Sequence, residues 1–427
     1  MKFLYEKNSG VSEAIIDEGR KKLNDYVLRC AEGAEKRDYE MNEASLCLPD
    51  DANILKKVQE LVKKKKTDKL HYIIDVGIGG SNLGTKAIYD ALWGTVDVLI
   101  PKRFPKIIFL DTNDPEFLTS FTQFFRTTIQ SADEIIVNII SKSGGTTETA
   151  VNGEIILQLL QQKFENWKER CVITTDKNSP LWIRAQEQEI DTLEIPKKVG
   201  GRYSVFSPVG LFPLALCGVH IKNLLQGARK TRSVCLGNTK DNIALTAAAI
   251  FNEQLAKGII INDNFYFHSE LESLGKWFRQ LMGESIGKEG KGLTPTVSMG
   301  SVDLHSMAQL YLGGPKNKIT SFIYTNEFKR YDLPVKNILS HIHEIQGVTV
   351  GTIMGAIQQG TIAAYKKMSL PYTEVIFDSI SEAELGGYMQ FKMMEIMYLG
   401  HLMGVNAFDQ PEVELYKRET KRILSGR

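Results

Sequence analysis

The chain has 427 residues, 43% hydrophobic and 24% charged, an ordinary globular composition that supports two or three domains with no need of a disulfide or metal staple. Its 52 basic and 51 acidic residues leave a formal charge of +1, which argues against an obligate nucleic-acid binder. No apolar run reaches the roughly 18 residues of a membrane span, and the charged start MKFLYEKNSGVSEAIIDEGR does not read as a signal peptide.

Five scattered cysteines (Cys30, Cys47, Cys171, Cys217, Cys235) without a C-x-x-C pair fit free thiols in a reducing cytosol. Residues 1–45 carry charged, helix-spaced positions and read as an N-terminal helical arm. The lysine run 63–66 reads as a helix end, where cations suit the negative end of the dipole.

From residue 71 short β-branched runs alternate with helix-length stretches: HYIIDV (71–76), KIIFL (106–110), EIIVNII (134–140), CVITT (171–175) and DTLEI (191–195). Continuous apolar runs of this kind are buried on both faces, so they predict a parallel sheet sandwiched by helices. Residues 222–256 read as helices. A second set of runs, NFYF (264–267), TPTVSM (294–299), KITSFIY (318–324) and YTEVIF (372–377), predicts a second α/β unit. Helices over about 382–402 and 409–423 close the chain. The expected division is an arm (1–45), a first α/β domain (46–220), a second (221–405) and a C-terminal helix (406–427).

Two loops carry chemistry. Asp75-Val-Gly-Ile-Gly-Gly-Ser-Asn-Leu-Gly84 lies between a strand and a helix, and its glycines let backbone approach a ligand. It misses a dinucleotide fingerprint at Asn82. It misses a phosphate-binding P-loop because Thr85-Lys86 stands in the wrong order. Ser141-Lys-Ser-Gly-Gly-Thr-Thr-Glu-Thr149 gathers five hydroxyls and two glycines at one expected helix N-terminus. One Ser or Thr suffices for a cap, whereas five hydroxyls at a positive helix end suit a phosphate monoester. Both loops fall at carboxyl ends of parallel strands, where open α/β sheets bind ligands.

Six segments in order, DVGIGGSNLG (75–84), SKSGGTTET (141–149), VGGRYSVFSPVGL (199–211), WFRQLMGESIGK (277–288), GSVDLHSMAQL (300–310) and NAFDQPEVELYK (406–417), resemble the glucose-6-phosphate isomerase (phosphoglucose isomerase) family, in its compact bacterial form. The chain departs from the pattern at Glu412, where the family usually has Gly or Ala. The resemblance implies two doubly wound α/β/α sandwiches of sugar isomerase type. It implies that Ser141, Ser143 and Thr146 bind phosphate, with Gly80, Ser81 and Lys142 nearby. Glu284 is then the base that moves a proton between C1 and C2, Arg202 and the Gly201 backbone face the enediolate, and Gln280 and Gln410 hold sugar hydroxyls. Lys417 and His305 handle ring opening. A homodimer is implied, with His305 donated across the interface. The free thiols point to the cytosol, and no fingerprint calls for an organic cofactor or a catalytic metal.

The residue types suit that chemistry. Proton abstraction α to a carbonyl needs a positioned carboxylate, and developing oxyanion charge needs a fixed cation or N–H donors. Gln280 and Glu284, four apart, share a helical face if the helix runs through Gly283, and Gln410 and Lys417, seven apart, would share another. Only His341-x-His343 has metal-ligand spacing. Two other readings stay open at this point: a related sugar-phosphate isomerase on the same fold, or a sugar-phosphate sensor without turnover.

Overall fold

The computed structural model of the protein describes residues 1–327 and 332–426. The first half runs β1 (Lys2–Leu4), α1 (Glu13–Lys36), α2 (Ala52–Lys65), β2 (Tyr72–Val76), α3 (Leu83–Trp93), β3 (Lys106–Leu110), α4 (Pro115–Thr128), β4 (Ile135–Ile140), α5 (Thr147–Lys163), β5 (Cys171–Asp176), α6 (Pro180–Glu187) and β6 (Asp191–Ile195). Three helices follow: α7 (Pro208–Leu216), α8 (Ile221–Cys235) and α9 (Ile243–Ala256). The second half runs β7 (Ile261–Tyr266), α10 (Glu272–Ile286), β8 (Thr294–Met299), α11 (Val302–Ser306), α12 (Ala308–Gly313), β9 (Lys318–Thr325), α13 (Val350–Lys367), β10 (Tyr372–Phe377), α14 (Glu382–Met403) and α15 (Val413–Leu424).

Every run expected as a strand forms one. The first sheet has order β3-β2-β4-β5-β6 and is parallel throughout. In the second, β8-β7-β9-β10 are parallel, and β1 joins the far edge antiparallel to β10. β1 is absent from the sequence reading, since three residues carry no periodicity to recognise.

The two faces of each strand go to different cores, as a period of two requires. Ile73, Ile136 and Val172 face a large apolar cluster shared with helices α1, α3, α7–α10 and α14. Their neighbours Ile74, Val137 and Ile173 face a separate cluster under α4–α6. The second sheet's outer face carries Phe265, Phe322 and Tyr372 beneath α12 and α13. A helical layer therefore lies between the two sheets, and α14, buried almost all round, runs along α8 and α9 within it. α10 lies in the same layer, packed on α3.

The segment read as an arm holds β1 and α1, and α1 turns Ile16, Leu23, Val27 and Cys30 into the central core. The lysine run closes α2, where Lys64 and Lys65 each reach Asp191 at 2.7 Å. All five cysteines are buried free thiols. One expectation fails at the C-terminus. Helix α15 begins at Val413, so Gln410 precedes it and does not share a helical face with Lys417. The residue before a proline is steered away from helical backbone, and Pro411 follows Gln410. Glu412 itself has φ −66° and ψ −28°, which any L-residue adopts, so its departure from Gly or Ala strains nothing.

Candidate active site

In the first sheet the chain leaves β2 toward β3 on one side and leaves the adjacent β4 toward β5 on the other, so the two connections diverge and open a crevice at the carboxyl edge. The crevice lies between the loops after β2 and β4. The β2 loop is a tight turn, Gly79–Ser81. A Cβ on Gly80 would fall 2.2 Å from the Gly201 carbonyl carbon and 2.5 Å from the Arg202 nitrogen, so only glycine permits this approach. Gly79 has φ +59°, and a Cβ there would meet Gln280 Nε2 at 2.8 Å. Ser204 Oγ donates to the carbonyls of Gly201 at 2.7 Å and Gly80 at 3.4 Å, tying the two turns together.

The close approach presents Arg202 to α10. Its side chain is only 2% exposed. All three guanidinium nitrogens donate. Nε donates to Ser285 Oγ at 2.7 Å, and Nη1 to Gln410 Oε1 at 2.7 Å and to Glu284 Oε2 at 3.2 Å. Nη2 donates to the carbonyls of Ala407 at 2.8 Å and Asp409 at 3.0 Å. Glu284 is a third exposed, and its other oxygen accepts from Gln280 Nε2 at 3.0 Å. α10 does run through Gly283, so the i,i+4 relationship of Gln280 and Glu284 holds. Tyr203 OH supports the same group, donating to Ala407 O at 3.2 Å and lying 3.1 Å from Ser285 Oγ.

Beside this cluster lies the hydroxyl loop. Ser141 is buried and Ser143 exposed. Ser141 Oγ donates to Thr146 Oγ1 at 3.4 Å, and Ser143 Oγ accepts from the Gly145 N–H at 3.3 Å. The Lys142 carbonyl accepts from the Asp176 N–H and Thr175 Oγ1, each at 3.1 Å, which pins the loop to the end of β5. Thr146 occupies the N-cap of α5, yet its side chain makes no capping hydrogen bond. The helix therefore keeps its positive end and N–H groups for an anion. Burial pushes the Lys142 ammonium below the ordinary lysine range, opposed by Asp176. A Cβ on Gly77 would sit 2.8 Å from Ser81 Cβ and 3.4 Å from Ile140 O, so the two loops stand side by side.

Arg202, Gly201, Gly80, Glu284, Gln280 and Gln410 thus converge, with the 141–146 loop and Ser81 adjoining. Neither His305 nor Lys417 makes a side-chain hydrogen bond or ion pair with these residues. His305 is exposed on the short helix α11, and its imidazole makes no hydrogen bond to any described residue. Lys417 pairs with Glu414 on its own helix at 2.8 Å. Sequence reasoning missed Ser285, which follows Glu284 and orients Arg202, and Lys288, whose Nζ reaches Asp409 Oδ1 at 2.8 Å. Both lie inside quoted motifs, but no spacing rule connects residues this distant in the chain.

Two doubly wound, mainly parallel sheets around a shared helical layer, with an uncapped hydroxyl-rich helix end beside a carboxylate–arginine pair, define an α/β protein of sugar isomerase type. The profile of the phosphoglucose isomerase family matches residues 35–315. A glucose-6-phosphate isomerase from Leptospira biflexa serovar Patoc is 33% identical over 396 residues, 90% of this chain and 85% of its own. One from Rubrobacter xylanophilus is 32% identical, with 87% of each chain covered. Among solved structures, a hypothetical protein from Thermus thermophilus superposes with a TM-score of 0.84 at 28% identity, covering 96% of this chain and 97% of its own. A glucose-6-phosphate isomerase from Chlamydia trachomatis gives 0.81 at 20% identity, covering 99% and 88%, a likeness of fold. The chain belongs to the phosphoglucose isomerase family. Among the described residues no helix is long and apolar enough to cross a membrane.

Proposed function

We propose that this chain is an aldose–ketose isomerase that interconverts D-glucose 6-phosphate and D-fructose 6-phosphate, a step of glycolysis and gluconeogenesis. The observation that carries the assignment of residues is the Glu284–Arg202 pair at 3.2 Å, set beside the uncapped N-terminus of α5.

The substrate phosphate sits on the 141–146 loop. Ser141, Ser143 and Thr146 donate hydroxyl hydrogen bonds, the free N–H groups of α5 point at the anion, and Lys142 and Ser81 flank it. This anchors C6 and leaves C1 and C2 near Glu284. The carboxylate takes the proton from C2 of the open-chain aldose, and electron density moves onto O1. Arg202 and the Gly201 N–H face that oxygen. Arginine keeps its proton at any working pH, so it stabilises the enediolate without acting as an acid. Glu284 then returns the proton to C1 as O2 gives up its own proton and becomes the ketose carbonyl, while O1 gains one. Gln280 and Gln410 hold sugar hydroxyls during the transfer. No step needs a redox cofactor, and a metal would duplicate the work of Arg202.

Most substrate arrives as a closed ring, and His305 and Lys417 open it. The exposure of His305 and its lack of a partner among the described residues support its acting in a neighbouring subunit's site within a cytoplasmic homodimer.

The test is proton NMR of the purified protein with glucose 6-phosphate in heavy water, with and without a chelator. Fructose 6-phosphate carrying deuterium at the exchanging carbon, unaffected by chelator, is the expected result. Tight binding without conversion would sink the isomerase reading and favour a sensor. Faster turnover of another hexose 6-phosphate would reassign the substrate.

A further inference from the structure

Resting on the reading above, we propose that Lys288 is a positioning residue of this active site: its ammonium clamps the irregular segment 405–412 onto the end of α10, and so sets where Gln410 and Arg202 stand opposite Glu284. Lys288 lies two residues past α10, four past Glu284, in a small turn closed by its pairing with Lys291. Its side chain is 6% exposed. A lysine buried to that degree requires partners for its charge. It finds them in the Asn406 carbonyl and in Asp409 Oδ1 at 2.8 Å. Asp409 is held in turn, its Oδ2 accepting from Asn406 Nδ2 at 2.7 Å.

The segment needs such a clamp. Between the end of α14 and the start of α15 the chain has neither helix nor strand, so its carbonyls have no ladder to bond to. Cationic side chains take those of residues 406, 407 and 409 instead, while those of 410–412 accept from the first N–H groups of α15. Lys288 takes Asn406 O, Arg202 takes Ala407 O and Asp409 O, and just before them Lys291 reaches the last carbonyl of α14, Met403 O, at 2.9 Å. Arg202 and Lys288 therefore grip the same few residues, and both hold Asp409, Lys288 by its carboxylate and Arg202 by its carbonyl. Arg202 shares one nitrogen, Nη1, between Gln410 and Glu284. A displacement of Gln410 consequently pulls the guanidinium away from the carboxylate. The Lys288 ammonium bonds to neither Glu284 nor Gln410, so its influence passes through the segment.

The experiment compares wild type with Lys288→Met, Lys288→Arg and Asp409→Asn. Hydrogen exchange of amides 403–412 is followed without substrate, alongside melting temperature, kcat and KM. Lys288→Met should accelerate exchange in that segment and lower kcat by about 100-fold, the cost of an ångström-scale misplacement. Lys288→Arg should restore most of kcat, because it keeps a cation for Asp409. Asp409→Asn changes a half-exposed group and leaves the fold intact, so it provides the same test should Lys288→Met fail to fold. It should move exchange and kcat in the same direction by less. Unchanged exchange in 403–412, or loosened exchange with wild-type kcat and KM, would overturn the proposal. If the wild-type chain turns over no hexose phosphate, the functional reading fails, while the exchange measurement still decides whether the clamp exists.

Discussion

Arg202 Nη1 lies 3.2 Å from Glu284 Oε2, yet the two residues are held very differently. Arg202 is almost wholly buried and donates also to Ser285, Ala407, Asp409 and Gln410, whereas Glu284 keeps a third of its side chain open. The cation is fixed and the carboxylate is accessible. That asymmetry suits a base that must reach a substrate carbon while its electrostatic partner stays still.

Glu284→Gln keeps the shape and removes the proposed proton acceptor. Turnover and deuterium incorporation should fall by at least about 10²–10⁴-fold, the usual worth of a positioned base. Substrate affinity, measured by calorimetry, should change little. Near wild-type exchange would show that another group moves the proton.

Arg202→Lys keeps the charge but cannot reproduce the donor set. A lysine offers three donors from one point, against a planar fork serving both faces of the site. The variant should lose about 10²-fold or more in kcat. It should also melt earlier, since buried carbonyls left unpaired cost about 1–3 kcal/mol each. A variant as active and stable as wild type would remove Arg202 from the mechanism.

Gly80→Ala tests the approach of the two turns. The new methyl would have to displace the Gly201–Arg202 backbone, which costs about 1–3 kcal/mol as overpacking and disturbs the catalytic geometry. Melting temperature and kcat/KM should fall together. Gly360→Ala is the contrast: a Cβ there, on α13, meets nothing within 4 Å, so the helix should gain about 0.5–1 kcal/mol. Equal melting shifts in the two variants would contradict the geometry.

Lys142 makes a pH prediction. Burial lowers its pKa, so the ammonium deprotonates at lower pH than an ordinary lysine. A phosphate dianion favours the ammonium, hence phosphate affinity should fall as pH rises through that lowered value. Stability follows the opposite sign. Between the lowered value and the ordinary one the unfolded chain binds the proton more readily, so this residue's contribution to stability rises with pH. Calorimetric titration of inorganic phosphate across alkaline pH, in wild type and Lys142→Met, reads the first trend. Identical profiles for the two proteins would show that Lys142 takes no part.

The strands were legible because each is a short β-branched run between helix-length connections, a pattern that survives without knowledge of tertiary contacts. Local relationships inside one element were legible too, as Gln280 and Glu284 show. What escaped depends on pairs distant in the chain. The edge strand β1 exists because β10 offers an unpaired edge, and nothing in Lys2-Phe-Leu4 announces it. The expectation of one helical face for Gln410 and Lys417 failed because counting by sevens ignores Pro411. The bonds of Arg202 to residues 407–410 and of Lys288 to Asp409 have no local signature at all.

The wiring of Arg202 also bears on how the protein assembles. Its partner Glu284 comes 82 residues later and Gln410 208 residues later. Closing such long intervals costs chain entropy that only the finished core returns. The strands of the first sheet all lie within residues 72–195, but the carboxylate and the segment that orients its arginine arrive only when α10 and the chain beyond α14 have docked. Regain of activity during refolding should therefore trail the regain of secondary structure, which makes turnover a marker for the last event of folding rather than the first.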